Sequence, residues 1–485
     1  MKQTIASDAL KLTISKIVTM VISMINAMLL SRFRTLEEYG TYSQLLLTIN
    51  LATNFFMIGL PNSINYFLSK EDTQEGKQKF LSVYFSFSTI LSFATGLILV
   101  FSSPLIIRYF ANPLLNKYIY FLAIFPWTSI IMSSIENILI IYNKSKYLII
   151  YKISNSIAVL SIIIIAQLLS LTFASYMAIY VLVESFFAVF VYILANNLNE
   201  KIYISFDKKF IVLIFKFSIP IGLASVVGRL CIELDKLIIG KFFSTEELAI
   251  YTNAARELPV TIISSTLTAV LMPHLVRLLK SNYINKAVNL WGHSITLSYI
   301  FISIISFGVF TYAPDVISLL YSDKYLPGVN VFRIYSLVLL LRVTYFGMIL
   351  NAKGNTKFIF YSSLLSLILN VVLNYIFYKL FGFIGPAIST FISILIVQVA
   401  QLFATSKIIE ISLAKVFPWG DLFKITTINI IFSILFFYLK NIIHLETKVG
   451  SINESLIMGL IWTISYICLM LPLIKSKWSL LNNNE

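Results

Sequence analysis

Charge is what this 485-residue chain has least of: Asp, Glu, Lys and Arg make up 12% of it, against about a quarter of an ordinary soluble domain. Water cannot solvate a chain that is 58% hydrophobic and 15% aromatic. Lipid is therefore its solvent, and a soluble enzyme, a disordered scaffold and a collagen-like fibre are excluded. Cysteine is nearly absent. Cys231 and Cys468 both lie inside apolar runs, so neither a disulfide framework nor metal-ligand spacing exists. Histidine is scarcer than chance use would give: His274, His293 and His444 are far apart, and each reads as structural or interfacial. No metal site and no catalytic cluster is expected. Long polar segments are missing too, which leaves no room for a soluble catalytic domain. The net charge of +15 has no polar domain to carry it as a nucleic-acid-binding patch. In a membrane protein the same excess collects in cytoplasmic loops.

What is present is a succession of apolar runs. A bilayer core takes about 20 apolar residues as helix. Fourteen stretches qualify, near 10–30, 40–68, 80–102, 118–142, 147–170, 172–195, 212–239, 247–272, 287–312, 330–350, 358–379, 383–405, 423–441 and 453–474. The fold class is an all-α polytopic membrane protein. Lys and Arg of the loops favour the side of the N-terminus by nineteen to nine, which puts both termini in the cytoplasm. No cleavable signal is evident, because the first run continues to Leu30 without a small-residue cleavage site. Residues 406–422, with Lys407, Lys415, Pro418 and Trp419, read as an interfacial amphipathic link.

The chain is duplicated. TLEEYGTY at 35–42 returns as STEELAIY at 244–251. Pro104 and Pro314 each close the third span of a half, Lys146 and Lys357 each open the fifth, and Pro61 and Pro273 each end the second. Each half has six spans, so the copies share one orientation, a parallel repeat about the membrane normal. The expected organisation is a six-helix bundle at 1–200, a second at 201–408, and a link with two extra helices at 409–485. Two bundles enclose a central cleft, and rocking between them gives alternating access.

Ionisable residues at membrane depth cost about 2.5–3.5 kcal/mol each and persist only against a cavity or a partner. On the basic side stand Lys11, Lys16, Lys152, Lys216, Arg229, Lys236, Arg256, Arg333 and Arg342, and on the acidic side Glu136, Glu184, Glu233, Asp235 and Glu257. Lys11, Lys152 and Lys216 are short enough of the centre to snorkel. At 100° per residue Gly222, Ser225, Arg229, Glu233 and Lys236 share a stripe of the seventh span, while Asp235 points elsewhere. Arg229–Glu233 reads either as a structural ion pair or as cleft lining. In the first span Lys16, Thr19, Ser23 and Ala27 form the matching stripe. Arg256 and Glu257 stand about ten residues into the eighth span, and helical spacing turns them about 100° apart. Their counterparts in the second span are Gln44, Leu47 and Thr48. Glu136 and Glu184 are each either a partner for a cation or a protonated coupling-ion site. The candidate substrate-binding residues are Lys16, Arg229, Arg256 and Arg342. The candidates for charge pairing or ion coupling are Glu136, Glu184, Glu233 and Asp235. A cationic crevice at this depth suits an anionic, phosphate-bearing head group whose lipid tail stays in the bilayer.

LSRFRTLEEYGTYS (30–43), the run SIPIGLASVVGRLCIELDKLIIGKFFSTEELAIYTNAARELP (218–259), MPHLVRLL (272–279) and LNAKGNTKFIFYSSLLSLILNVVLNYIFYKLFGFIGPAIS (350–389) carry a family resemblance. Over nearly its whole length the chain resembles the polysaccharide-repeat-unit (O-antigen, Wzx-type) flippases of the multidrug/oligosaccharidyl-lipid/polysaccharide exporter superfamily. One departure is Glu-Glu in TLEEYG, where the common pattern is shorter and richer in glycine. The resemblance implies a V-shaped exporter architecture in the bacterial cytoplasmic (inner) membrane. It implies transfer of undecaprenyl-pyrophosphate-linked oligosaccharide to the outer leaflet for O-antigen or capsule, with Lys16, Arg229 and Arg256 as the cations. It also implies no cofactor beyond a proton or sodium gradient, and a polymerase with its chain-length machinery as partners. The rival readings are a peptidoglycan-precursor flippase, a multidrug cation antiporter, which would want an acidic cleft, and a membrane enzyme, for which no catalytic cluster is visible.

Overall fold

In the computed structural model the described residues are 2–57, 59–198, 201–443 and 450–482; the side chains of 2–11, 220, 221, 224 and 356 are not described. Lys11, as a snorkelling cation, and His444 lie outside them. Every regular element among the described residues is helical. Backbone groups in hydrocarbon have no water to bond, and a helix satisfies them within its own segment. Eleven helical stretches are long and apolar enough to cross a membrane, or twelve if one bent pair counts as a span. The longest of these, 357–409, holds two helices. The chain is a multi-pass membrane protein.

Contacts divide the chain into Met1–Ala249 and Ile250–Glu485. In the first unit run α1 (Lys2–Phe33), α2 (Leu36–Met57), α3 (Gln74–Phe101), α4 (Ile119–Ile141), α5 (Ser145–Leu168), α6 (Phe173–Leu198) and α7 (Lys208–Phe242). At 35 residues, α7 is about 50 Å long, more than a bilayer core requires. It packs on α2, and α1 on α5. The contact division thus groups the seventh helix with the N-terminal six. The core of this unit gathers Phe80, Tyr84, Ile131, Ile135, Tyr151 and Phe187.

The second unit holds α8 (Thr245–Ala254, whose first turn belongs to the first unit), α9 (Ile262–Lys280), α10 (Ile284–Thr311), α11 (Val329–Val338), α12 (Met348–Ala352), α13 (Thr356–Phe381), α14 (Gly385–Ile409), α15 (Trp419–Ile443) and α16 (Ser451–Asn482). The two extra helices α15 and α16 pack on α10. Asn429 Nδ2 donates to Ser303 Oγ at 3.1 Å and to Tyr466 Oη at 3.2 Å in the middle of this trio. Ion pairs close both of its ends. Lys440 meets Asp315 at 2.6 Å, and Lys477 meets Asp421 at 2.6 Å.

The duplication is visible in the order of elements. After α3 comes a short helix Ser103–Phe110, then a 3₁₀ turn Pro113–Tyr118, then α4. After α10 comes Ala313–Leu320, then Asp323–Gly328, then α11. Pro104 and Pro314 stand in the first turn of the short helices, where the missing N–H of proline costs nothing. The recurring TLEE and STEE have a physical role: each is a capping box. Thr35 Oγ1 accepts from the Glu38 N–H at 3.1 Å, and Glu38 Oε2 accepts from the Thr35 N–H at 3.1 Å. Ser244 Oγ and Glu247 Oε2 repeat the exchange at 3.1 and 2.8 Å.

The two boxes also meet. A Cβ added at Gly40 would stand 2.0 Å from the Thr245 carbonyl oxygen, so α2 approaches the start of α8 closely enough to require glycine. Gln44 Nε2 donates to Thr245 Oγ1 at 3.2 Å, and Asn112 Nδ2 donates to Gln44 Oε1 at 2.7 Å and Thr41 Oγ1 at 2.9 Å. Gly40→Ala is expected to lower stability by about 1–3 kcal/mol through overpacking. Thermal unfolding in detergent reads this, with Gly228→Ala as the control because a Cβ at Gly228 meets nothing within 4 Å.

Candidate functional site

Three charged clusters stand on these helices. The first joins α1, α4 and α5. Glu136 on α4 accepts from Lys16 on α1 at 3.2 Å through one oxygen, and through the other from Lys152 on α5. Glu136 therefore bridges two cations. Lys152 is bound to Glu136 rather than snorkelling to the surface, because a carboxylate lies within its reach. The Lys16 side chain remains 63% exposed.

The second lies along α7. Glu233 accepts from Arg229 at 2.7 Å and from Lys236 at 2.8 Å. The spacings i, i+4 and i, i+3 bring the three onto one helix face, as the sequence periodicity requires. Glu233 is buried, while Arg229 keeps about a third of its side chain open. Asp235 is buried off that stripe, and its Oδ1 accepts from the Lys236 N–H at 2.7 Å.

The third lies in the second unit and is built on two broken helices. Helix α8 stops at Ala254, residues 255–258 are non-helical, and a 3₁₀ turn from Pro259 leads into α9. Arg256 and Glu257 sit in that gap, so the 100° spacing of an intact helix does not apply to them. The residue before proline is pushed out of the α region, and Leu258 is extended at φ −70°, ψ 148°. The tenth span breaks in turn after a 3₁₀ turn at Leu339–Leu341, and Arg342 opens a non-helical stretch to Gly347. The two gaps meet. Arg342 donates to Glu257 Oε1 through Nη2 at 2.9 Å and Nε at 3.3 Å. Helix α8 has ten residues, so its gap lies about 15 Å along the span, near the middle of a hydrocarbon core about 30 Å thick. Arg342 and Glu257 are each about one-third exposed.

Other candidates have structural surroundings. Gln44, a predicted polar position of the second span, is buried in the Asn112–Thr245 network. Arg333 donates to the Phe310 carbonyl at 3.3 Å and lies over the Phe310 ring. Glu184 is buried on α6 and accepts from Asn155 Nδ2 at 3.2 Å. Among the described residues no group of three or more His, Cys, Asp or Glu could hold a metal ion.

In the first two clusters one carboxylate accepts from two cations, and in the third Glu257 accepts from one. Lys16 and Lys152 stand on Glu136, Arg229 and Lys236 on Glu233, and Arg342 on Glu257 with Arg256 as its chain neighbour. The carboxylate holds the cations in place, and a cation held this way that stays exposed, as Lys16 does, can bind a phosphate oxygen by charge-assisted hydrogen bonds.

Similarity to known proteins bears on family and fold. A family model described as "Polysaccharide biosynthesis protein" matches residues 29–330. The uncharacterized membrane protein MJ1375 of Methanocaldococcus jannaschii is 25% identical over 402 residues, 77% of this chain and 91% of that protein. Two solved structures share the fold. One is the lipid II flippase MurJ in an inward closed conformation, with a TM-score of 0.72 and 18% identity over 94% of this chain and 99% of that one. The other is an inward-facing multidrug resistance MATE family transporter of the MOP superfamily, with a TM-score of 0.65 and 14% identity over 83% and 98%. At these identities the likeness is one of fold.

Proposed function

The chain belongs to the polysaccharide biosynthesis protein family, and from that premise we propose that it is a flippase for lipid-linked glycans. Its cargo is an undecaprenyl-pyrophosphate-linked oligosaccharide repeat unit, carried by alternating access from the cytoplasmic to the outer leaflet to feed O-antigen or capsule assembly. It works in the bacterial cytoplasmic membrane with both termini inside, as the lysine-rich alternate loops require.

The observation that carries this reading is the pair of lysines on the single carboxylate Glu136, together with Arg229 and Arg342, each held by a glutamate and still about one-third exposed. A pyrophosphate has several charged oxygens to match these cations, and low polarity around the site strengthens each contact. Arg229, Arg256 and Arg342 supply guanidinium forks, which meet phosphate in two parallel hydrogen bonds. Lys16 supplies a flexible point charge. The tail needs no site among these charges, because it travels in lipid. A multidrug cation antiporter asks for the opposite balance, acidic groups open to a cationic drug. Here Glu136, Glu233 and Glu257 already carry cations. We assign ion coupling to Glu184, the buried carboxylate that accepts from a neutral amide.

The fold likeness to a lipid II flippase supports a second reading with the same head-group chemistry, transfer of the peptidoglycan precursor. One experiment separates them. Depleting the protein in its host is expected to strand lipid-linked repeat units on the cytoplasmic leaflet, measured by their protection from an external glycosidase, while cell-wall synthesis continues. Arrest of cell-wall synthesis with normal surface glycan would favour the peptidoglycan reading, and no accumulation of either lipid would defeat both.

A further inference from the structure

The segment joining α6 to α7 is laid along α3. Four α3 side chains spaced four residues apart face it. Gln74 Nε2 donates to the Leu198 carbonyl at 3.1 Å and Gln78 Nε2 to the Lys201 carbonyl at 2.7 Å. Ser82 Oγ accepts from the Tyr203 N–H at 3.2 Å and Ser86 Oγ from the Ser205 N–H at 3.0 Å. Lys79 adds an ion pair to Asp207 at 3.1 Å, and Asp207 caps α7 by accepting from the Phe210 N–H. Residues 201–207 thus form a strap, tied to α3 through the Lys201 carbonyl and the Tyr203 and Ser205 N–H groups and to α6 through the Ile202 N–H, which donates to Asn196 Oδ1 at 2.8 Å.

The strap walls a cavity of about 670 Å³. Trp127, Tyr192 and Phe85 line one side, and Tyr203, Ile204 and Phe206 the strap side. The polar atoms of the floor are spent on one another. Trp127 Nε1 donates to Tyr192 Oη at 3.1 Å, and Tyr192 Oη shares a 2.5 Å hydrogen bond with Thr89 Oγ1. The rest is mostly aromatic and aliphatic carbon, with the oxygens of Asn196 and Ser86 accepting from the strap backbone. Ile193 of the lining is 47% exposed and Ile204 83%, so the cavity opens sideways towards lipid. At the ends of the strap Lys201, Lys208 and Lys209 are exposed, and Asp207, the acid beside them, is taken up by Lys79.

We propose that this groove binds one anionic glycerophospholipid, with an acyl chain between Trp127, Tyr192 and the strap and its phosphate at Lys201, Lys208 and Lys209. The volume lies within the range of about 300–1,000 Å³ typical of ligand sites. It suits one acyl chain and is too small for a polyprenyl carrier chain several times longer. Lys201, Lys208 and Lys209 outnumber Glu200, the acid next to Lys201 in the sequence, and this excess selects a negative head group at the membrane surface. A lining this apolar suits an acyl chain better than a sugar. This site is separate from the charged clusters and does not rest on the transport reading.

Native mass spectrometry of the full chain, with phosphatidylglycerol and phosphatidylcholine of matched chains offered together, tests it. The wild type is expected to retain phosphatidylglycerol about tenfold over phosphatidylcholine. The triple variant Lys201→Ala, Lys208→Ala, Lys209→Ala should equalise the two by losing phosphatidylglycerol alone. Ile193→Trp, which fills the groove from its lipid-facing wall, should lower retention of both. Unchanged preference in the triple variant, or unchanged retention in Ile193→Trp, overturns the site and leaves ordinary annular lipid. Displacement of phosphatidylglycerol by an equal amount of undecaprenyl phosphate overturns the choice of occupant.

Discussion

Glu233→Gln is expected to lower the stability of the protein by about 3 kcal/mol, more than any other single change in α7. Removing one partner of a buried ion pair costs about 3–5 kcal/mol, because the remaining charge is stranded. Here one buried carboxylate accepts from two cations, so both lose that partner together. The lower end of the range applies because Arg229, about one-third exposed, can turn towards water. Lys236 is more enclosed, with its side chain 19% exposed, and bears most of the penalty. A second variant checks the cause. Adding Lys236→Gln to Glu233→Gln removes the stranded charge and should recover more than half of the loss, since replacing both members of a buried pair is far cheaper than replacing one. Thermal unfolding in detergent measures both. A Glu233→Gln protein as stable as the wild type would mean that the triad is already solvated, and that its cations are not held in place as described.

The second large effect is on transport. Arg256→Ala is expected to reduce glycan translocation by about 10- to 100-fold, the loss of one hydrogen-bonded charge contact of about 1.5–3 kcal/mol. The protein should insert normally, because Arg256 lies in a gap between helices and its removal breaks no helical turn. Arg256→Lys should retain part of the activity. It keeps the charge but loses the planar fork that meets two phosphate oxygens at once. A lysine variant as inactive as the alanine variant would show that geometry and not charge sets the contact. Alanine with full activity would remove Arg256 from the path.

How much of this was legible beforehand follows from how local each feature is. Arg229, Glu233 and Lys236 sit on one turn of one helix, and their pairing could be counted from spacing alone. The bridge from Glu136 to Lys16 and Lys152 joins three helices, and spacing carries no information about which helices meet. The gap at 255–258 has a signal in the sequence. Pro259 follows Leu258, and the residue before proline resists the α conformation, so a helix through Arg256 and Glu257 was never favoured. The gap at Arg342–Gly347 has a weaker signature, the β-branched pair Val343–Thr344 followed by Gly347. Its meeting with Glu257 is a tertiary event. The repeated TLEE and STEE were visible as repetition, but the reason for the repetition is a capping box that needs the N–H positions to be seen. Gln44 looked like a polar lining residue because sequence cannot tell a polar group that faces a cavity from one that faces Asn112.

The proposal that carboxylate-held cations at membrane depth carry a phosphate head group is tested most directly in vesicles. The purified protein is reconstituted with a fluorescent pyrophosphate-linked glycan lipid, and transfer between leaflets is followed for the wild type, Arg229→Ala and Arg256→Ala. The account predicts rapid transfer by the wild type and transfer near the protein-free rate in both variants, at equal amounts of inserted protein. Equal rates in all three would contradict it.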